Sequence, residues 1–385
     1  MSGVSFVRSE GQRIRTRLPS LDGIRAVCIA LVLGAHAARS IGFPDGWKAG
    51  ASYVVNGPLG VTVFFVLSGF LITFLLVREE IVRGAISLRA FYARRALRIL
   101  PVYGAYVGAL ALIGQTTAVD LTKCEWATTL TFSKDFGCGQ WVDGHLWSLS
   151  VEEQFYVFWP IAVACLPRRR RRSIAAACVA AAPLCRTIFF LNGWYNLEMY
   201  SLMTNVDALL IGALTGAAFA EGSPALDAML RYRPSAGRGA AAAAIWMLMI
   251  LDHFVTGMVA VVAFSGTATA LAAAYLIASY ASIPGGAAYA LLNSRPMRYA
   301  GVLSYSLYIW QQPFMDAYNS YGYTSAPIVL TFPTNAIAAF AMAALSYHAL
   351  EKPLLSLRSG LRPRAAALDV RVPRALASAA AETVR

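Results

Sequence analysis

Apolar runs of membrane-spanning length recur through almost the whole chain, and this recurrence leaves little choice of fold. Ten can be drawn, at about 21–41, 57–77, 99–118, 146–166, 174–191, 203–220, 239–254, 257–280, 299–318 and 327–350. A bilayer core about 30 Å thick takes roughly twenty residues to cross as a helix, and only helices or closed barrels satisfy their backbone polar groups there. With 58% hydrophobic and 14% charged residues and a mean hydropathy of +0.55, the expected fold class is all-α. The expected architecture is a polytopic transmembrane bundle of about ten helices. The first run carries Asp22 and Arg25 at its start and lacks a small-residue cleavage site, so it reads as a span and not as a removable leader.

A formal charge of +13 raises the question of nucleic acid, but the placement of the charge points elsewhere. When the segments between runs are assigned alternately to two sides, one side takes twenty-seven of the 33 Lys and Arg. These are Arg8, Arg13, Arg15 and Arg17, then Arg78, Arg83, Arg89, Arg94, Arg95 and Arg98, then Arg168 to Arg172. Arg231, Arg233, Arg238, Arg295, Arg298 and the seven from Lys352 onward complete the set. The other side holds Arg39, Lys48, Lys123 and Lys134. That asymmetry is the positive-inside rule for a bundle with both termini cytoplasmic. The expected location is a bacterial cytoplasmic (inner) membrane, with anionic lipids or a polyanionic cytosolic ligand as partners and no nucleic acid. The expected organisation is a basic segment at 1–17, a membrane domain at 18–353 and a basic, Ala-rich cytoplasmic tail at 354–385. No repeat, linker or appended soluble domain is visible, so any chemistry is expected inside the bundle.

Six cysteines show no metal-ligand spacing, and no metal is expected. Cys28, Cys165, Cys178 and Cys185 lie in apolar runs as small filler residues. Cys124 and Cys138 share the long external segment 119–145, where a disulfide is left open.

Ionisable residues within the runs are costly in a bilayer and mark functional paths by default. Arg25 and His36 lie on one face of the first helix, three turns and about 16 Å apart. In the fourth run, His145, Ser148, Glu152 and Tyr156 share a face, with Glu153 about 100° away and Trp147 beside them. The plainer reading of Glu152 and Glu153 is a solvated helix start, but the Phe-Tyr-Val-Phe-Trp run that follows draws them into the bilayer. Arg94, Arg95 and Arg98 form a cluster suited to phosphate, or else an anchor at the membrane surface. The glycines and Ser68 of 57–70 read as close helix packing. Tyr308 and Trp310, in the stretch 301–314, read as interfacial aromatics. Arg186 needs a buried partner, with Glu198 and Asp207 as candidates, and His348 reads as interfacial.

Taken in this order, these stretches resemble the acyltransferase-3 family of integral membrane acyltransferases over about residues 18–353. The most specific are Arg-x10-His in the first helix and His-x-Trp-Ser-Leu-Ser-Val-Glu-Glu-Gln-Phe-Tyr in the fourth. The resemblance implies transfer of an acyl group, often acetyl, from cytosolic acyl-CoA to a hydroxyl. The acceptor it implies is a sugar or glycoside, such as a surface glycan or a macrolide antibiotic. Carried onto this chain, the pattern marks Arg25, His36, Arg95, Arg98 and the stretch His145–Glu153. Many relatives have a histidine directly after the tryptophan of the ninth helix. Gln311 stands there in this chain, so no essential role is expected at that position and the weight falls on His36.

Such chemistry needs a base for a poorly acidic hydroxyl, and a neutral imidazole is the usual one near neutral pH. His36 is assigned that role, with His145, Arg25, Glu152 and Glu153 as further catalytic candidates. Arg94, Arg95, Arg98 and Arg25 are assigned to the acyl-CoA, with acetyl-CoA as the expected donor. Trp147, Ser148, Tyr156 and Tyr308 are assigned to substrate. Arg25, Ser148, Tyr156 or a backbone amide is expected to meet the thioester oxyanion. The rival reading is a secondary transporter or flippase for an anionic substrate, and a third is a lipid-binding scaffold. A transporter predicts matched, broken inverted-repeat helices, which the sequence does not display. The acceptor, the acyl length and homo-oligomer formation are left open.

Overall fold

The computed structural model describes residues 18, 20–255, 257–316 and 321–357. The basic segment 1–17 and the tail beyond residue 357 therefore lie outside the described residues.

Ten helices of between 13 and 29 residues occupy the ten apolar runs. They are α1 (Leu21–Ala37), α2 (Gly57–Arg83), α3 (Leu88–Thr116), α4 (Leu146–Cys165) and α5 (Arg168–Leu191). They continue with α6 (Leu202–Ala220), α7 (Pro234–Phe254), α8 (Val259–Ser282), α9 (Arg295–Trp310) and α10 (Thr334–Ser346). No strand occurs among the described residues.

Six helices are long and apolar enough to cross a membrane: α2, α3, α5, α6 with the short turn before it, α7 and α8. The other four depart from that standard for physical reasons. α1, α9 and α10 have only 17, 16 and 13 residues, while α4 carries Glu152, Glu153 and other polar residues in its first half. α10 itself is about 20 Å long at 1.5 Å per residue, but the helix runs on without a break through Tyr347–Glu351 into Lys352–Leu357.

Local signals set the ends that matter for the site. Asn56 caps α2 by accepting from the Leu59 amide at 2.8 Å, with Pro58 in the first turn. Gly84, at φ 73°, ends the helix in the left-handed conformation that glycine tolerates. Ser87 then caps α3, accepting from the Ala90 amide. The turn at 84–87 is so short that the C-terminal end of α2 and the N-terminal end of α3 share one face of the bundle with the start of α1. α3 begins at Leu88, eleven residues before its apolar run, because its first three turns are helical but rich in arginine.

Close helix approach rests on glycine. A Cβ at Gly69 would run into the Leu209 carbonyl, and one at Gly212 or Gly216 would meet the Val66 or Phe70 carbonyl, so α2 and α6 touch backbone to backbone. A Cβ at Gly301 would likewise meet the Asp22 carbonyl, which seats α9 against the start of α1. Asn293 ties the same region together through Ser20 (2.9 and 2.7 Å). Phe65, Val66, Phe70, Leu209 and Leu307 fill the core between these helices. Apolar side chains such as Leu112, Phe158 and Leu184 point outward, as they do from helices whose solvent is lipid.

Two buried ion pairs lie away from this seam. Arg186 on α5 donates to both oxygens of Asp207 on α6 (2.7 Å each), to Thr267 and to the Ala263 carbonyl on α8. Asp207, and not Glu198, is thus its partner. In the segment 119–145, Lys134 pairs with Asp143, and Cys124 and Cys138 are joined in a disulfide across Lys123–Leu130 and the turn Lys134–Phe136. Asp135 accepts from Gln154 of α4 at 2.8 Å, and burial outweighs this bond and the nearby backbone amides to raise its pKa.

Candidate active site

The polar stretches of α1, α2, α3, α4 and α9 converge on a cavity of about 210 Å3. α1 contributes Arg25, α2 contributes Ser68 and Glu79, and α3 contributes Arg94, Arg95 and Arg98. α4 contributes Ser148, Glu152 and Tyr156, and α9 contributes Ser304, Tyr305 and Tyr308. The i, i+4 spacing of Ser148, Glu152 and Tyr156 sets them on one stripe facing inward. The spacing of Arg94, Arg95 and Arg98 does the same at the start of α3.

Four guanidiniums and two carboxylates therefore line the walls. Arg95 lies over the Tyr156 ring, its guanidinium carbon 3.5 Å from the centroid. Glu152 accepts from the Ser68 hydroxyl at 2.6 Å. Arg25 reaches Asp22 at 3.4 Å, and Arg94 reaches Glu79 at 3.8 Å. The balance is cationic, in an environment where water screens poorly, so the cavity suits a phosphorylated or otherwise anionic ligand.

Ser148 and Tyr308 line the cavity together. The Tyr308 hydroxyl donates to the His145 carbonyl at 2.6 Å, and the Ser148 hydroxyl, 2.5 Å away, donates to Tyr308. Behind them the His145 ring packs against Tyr106 and Tyr308. Its Nε2 donates to the Ile309 carbonyl at 3.2 Å, and its Nδ1 is buried with no hydrogen bond.

The expected site residues do not all reach the cavity wall. Arg25, Arg94, Arg95, Arg98, Ser148, Glu152, Tyr156 and Tyr308 do. His36 and His145 are not part of the wall. His36 Nδ1 is 2.9 Å from Gln311 Oε1, and its ring meets Trp141 edge-on at 5.5 Å. Glu153, turned off the inward stripe, has a buried Oε1 without a hydrogen bond. Trp147 packs against Phe65 and Tyr200 instead. Ser68, read from the sequence as a packing residue, holds Glu152. Glu79 was not expected at all, since a carboxylate at a helix end gives no sign of facing inward. Gln311, from which nothing was expected, touches His36. Among the described residues no group of three or more His, Cys, Asp or Glu gathers as metal ligands would.

A helical membrane protein with a cation-lined cavity between its helices is the class that this fold and site define. Residues 18–350 match the family described as the acyltransferase domain, and the chain belongs to this acyltransferase-3 family. It is similar to O-acetyltransferase OatA of Staphylococcus aureus, strain NCTC 8325, at 25% identity over 374 residues, covering 92% of this chain and 60% of the relative. A second S. aureus protein, SACOL0978 of strain COL, to which the name O-acetyltransferase is provisionally attached, is 29% identical over 217 residues, or 51% of this chain and 34% of that one. The chain thus spans about three fifths of the length of the OatA relatives. No solved structure matches it.

Proposed function

We propose that this chain is an O-acyltransferase that moves an acyl group, acetyl in the simplest case, from acyl-CoA to a hydroxyl of a sugar or glycoside. The observation that carries the reading is the cavity itself, where four arginines from two helices converge and Ser148, Glu152 and Tyr308 stand further in. Its family membership and its similarity to proteins named O-acetyltransferases support the same reaction class.

In this reading all ten helices cross a bacterial cytoplasmic membrane with both termini inside. The mouth of the cavity then opens on the side where acyl-CoA is found. Arg94, Arg95 and Arg98 hold the donor's phosphates, and Arg25 guides the pantetheine arm inward. His36 takes the proton from the acceptor hydroxyl. The oxygen attacks the thioester carbonyl carbon, and the negative charge passes to the carbonyl oxygen. That charge is met by Ser148, Tyr156 or a backbone amide, because Arg25 lies three turns of α1 from His36 and reaches back to Asp22. Collapse of the intermediate forms the ester, breaks the C–S bond and releases CoA thiolate, which recovers the proton from His36. Glu152 balances the arginines, Tyr156 supports Arg95 through its ring, and Ser148 and Tyr308 border the acyl group. Glu153 and His145 complete the polar surroundings, with Trp147 packing behind them.

The test uses the purified full chain in nanodiscs with acetyl-CoA, candidate glycosides and a thiol-reactive dye. Thiol release that requires an acceptor, and is lost in His36→Ala while CoA still binds, is the expected result. Full activity in His36→Ala removes His36 as base, and failure to bind CoA removes the donor.

A further inference from the structure

Gln311 and His36 are 275 positions apart in the chain, yet the amide oxygen of one lies 2.9 Å from Nδ1 of the other. We propose that Gln311 is a positioning residue, which fixes His36 in the tautomer protonated at Nδ1 and leaves Nε2 as the proton acceptor. This inference rests on the reading of His36 as the base.

The contact is held from both sides. Gln311 follows directly on α9, is fully buried, and donates its backbone N–H to the Leu307 carbonyl. Its own carbonyl accepts from the amides of Phe314 and Met315 at 3.0 and 3.2 Å. The side chain therefore starts from a backbone that cannot swing. α9 is itself seated on α1 through Gly301 and the Ser20–Asn293 pair, so the two helices keep their register. On the other side, the Trp141 ring limits rotation of the imidazole.

The chemistry follows from the groups present. An amide oxygen can only accept, so the hydrogen of this bond sits on His36 Nδ1. A neutral imidazole carries one hydrogen, and Nε2 is then the bare nitrogen. His36 is only half-buried, and its Nε2 makes no hydrogen bond among the described residues. The Gln311 Nε2 group is buried with no partner, while the oxygen is spent on the histidine. Unlike a histidine or a carboxylate, this partner does not titrate, so it gives the same orientation across the working pH range.

The experiment combines kinetics with nitrogen-15 NMR of histidine-labelled full-length protein in nanodiscs. The chain has 4 histidines, and the His36 signal is assigned by its absence in His36→Ala. The wild type is expected to show His36 protonated at Nδ1. Gln311→Leu is expected to lower kcat about 10- to 100-fold, leave KM for acetyl-CoA within about twofold, and lose the Nδ1–H signature. Gln311→Glu keeps an oxygen acceptor, and is expected to hold kcat within about threefold and to keep the signature. A wild-type spectrum protonated at Nε2, or an unchanged kcat in Gln311→Leu, overturns the proposal. The wild-type spectrum and Gln311→Glu decide the matter even where Gln311→Leu fails to fold. Should His36→Ala stay active, the base assignment falls, while the spectra still report separately whether Gln311 sets the tautomer.

Discussion

The guanidinium of Arg95 lies over the Tyr156 ring, its central carbon 3.5 Å from the ring centroid, joining α3 to α4 in the cavity wall. A planar, delocalised cation stacks on an aromatic face in a way that an ammonium on a flexible stem does not. The stack fixes where one of the four cavity arginines presents its charge.

Arg95→Lys is accordingly not a conservative change. We expect it to weaken acetyl-CoA binding about 5- to 30-fold, the equivalent of ~1–2 kcal/mol for a desolvated cation–π contact. Tyr156→Phe keeps the ring and is expected to stay within about threefold of wild type, whereas Tyr156→Leu should resemble Arg95→Lys. Calorimetric titration of detergent-solubilised protein measures all three, and equal losses in Phe and Leu would argue against the stack.

The Arg186–Asp207 pair gives a prediction about stability without activity. Neither residue touches the cavity, and Asp207 is fully buried. Asp207→Ala leaves an unpaired guanidinium between α5, α6 and α8, and should cost about 3–5 kcal/mol. Replacing both partners, Arg186→Met with Asp207→Leu, should restore most of that loss. Thermal unfolding in nanodiscs reads both effects, and a double variant no better than the single one would contradict the account.

The α2–α6 contact makes a third. Gly212 faces the Val66 carbonyl, with no room for a Cβ unless the helices part. Gly212→Val is expected to destabilise by about 1–3 kcal/mol through overpacking. Gly104 on α3 has open space around it, so Gly104→Ala is the control and should be neutral or slightly stabilising. Paired melting temperatures would show whether close approach, and not glycine content, is what matters.

Asp135 supplies the pH dependence. Burial raises its pKa in the folded protein above the reference value of 3.8, despite the bond from Gln154 that favours the charged form. The folded state therefore binds the proton more tightly than the unfolded one. The stability gained from this protonation is complete below about pH 3.8 and is lost as pH rises through the folded-state value. Asp135→Asn should flatten that slope, which denaturation midpoints across mildly acidic pH would reveal. An unchanged slope in the variant would assign the dependence to another group.

The helices were legible in the sequence because a spanning run announces itself by hydropathy summed along neighbours. Each of the ten runs coincides with a helix, and the errors fall where polar residues enter. The run at 21–41 stops at Ala37 because the chain turns before Gly42. The run at 327–350 shortens to Thr334–Ser346, preceded by a tight turn at Ile328–Leu330 and followed by a wider one at Tyr347–Glu351.

The candidate site was legible in part. The stripe of Ser148, Glu152 and Tyr156 and the cluster of Arg94, Arg95 and Arg98 follow from helical period, and both reach the cavity. The same period sets Glu153 about 100° off that stripe, and it is not part of the cavity wall, while Trp147, adjacent to Ser148, packs against Phe65 and Tyr200. The choice of Asp207 over Glu198 for Arg186 had no sequence signal, since it depends on how α5 and α6 face each other.

What the sequence by itself determined is the kind of object this is: an all-helical chain with its basic charge gathered on alternate segments and ionisable residues set into apolar helices. Those properties are sums over residues adjacent in the chain, so they can be read without the fold. Only the tertiary structure decided which of the polar residues meet. Ser68 with Glu152, Ser148 with Tyr308, and His36 with Gln311 are separated by 84, 160 and 275 positions. Whether such pairs touch depends on how far the helices approach and in what register. Backbone contacts at Gly69, Gly212 and Gly301 set both, so His36 gained a fixed partner that its own helix does not contain.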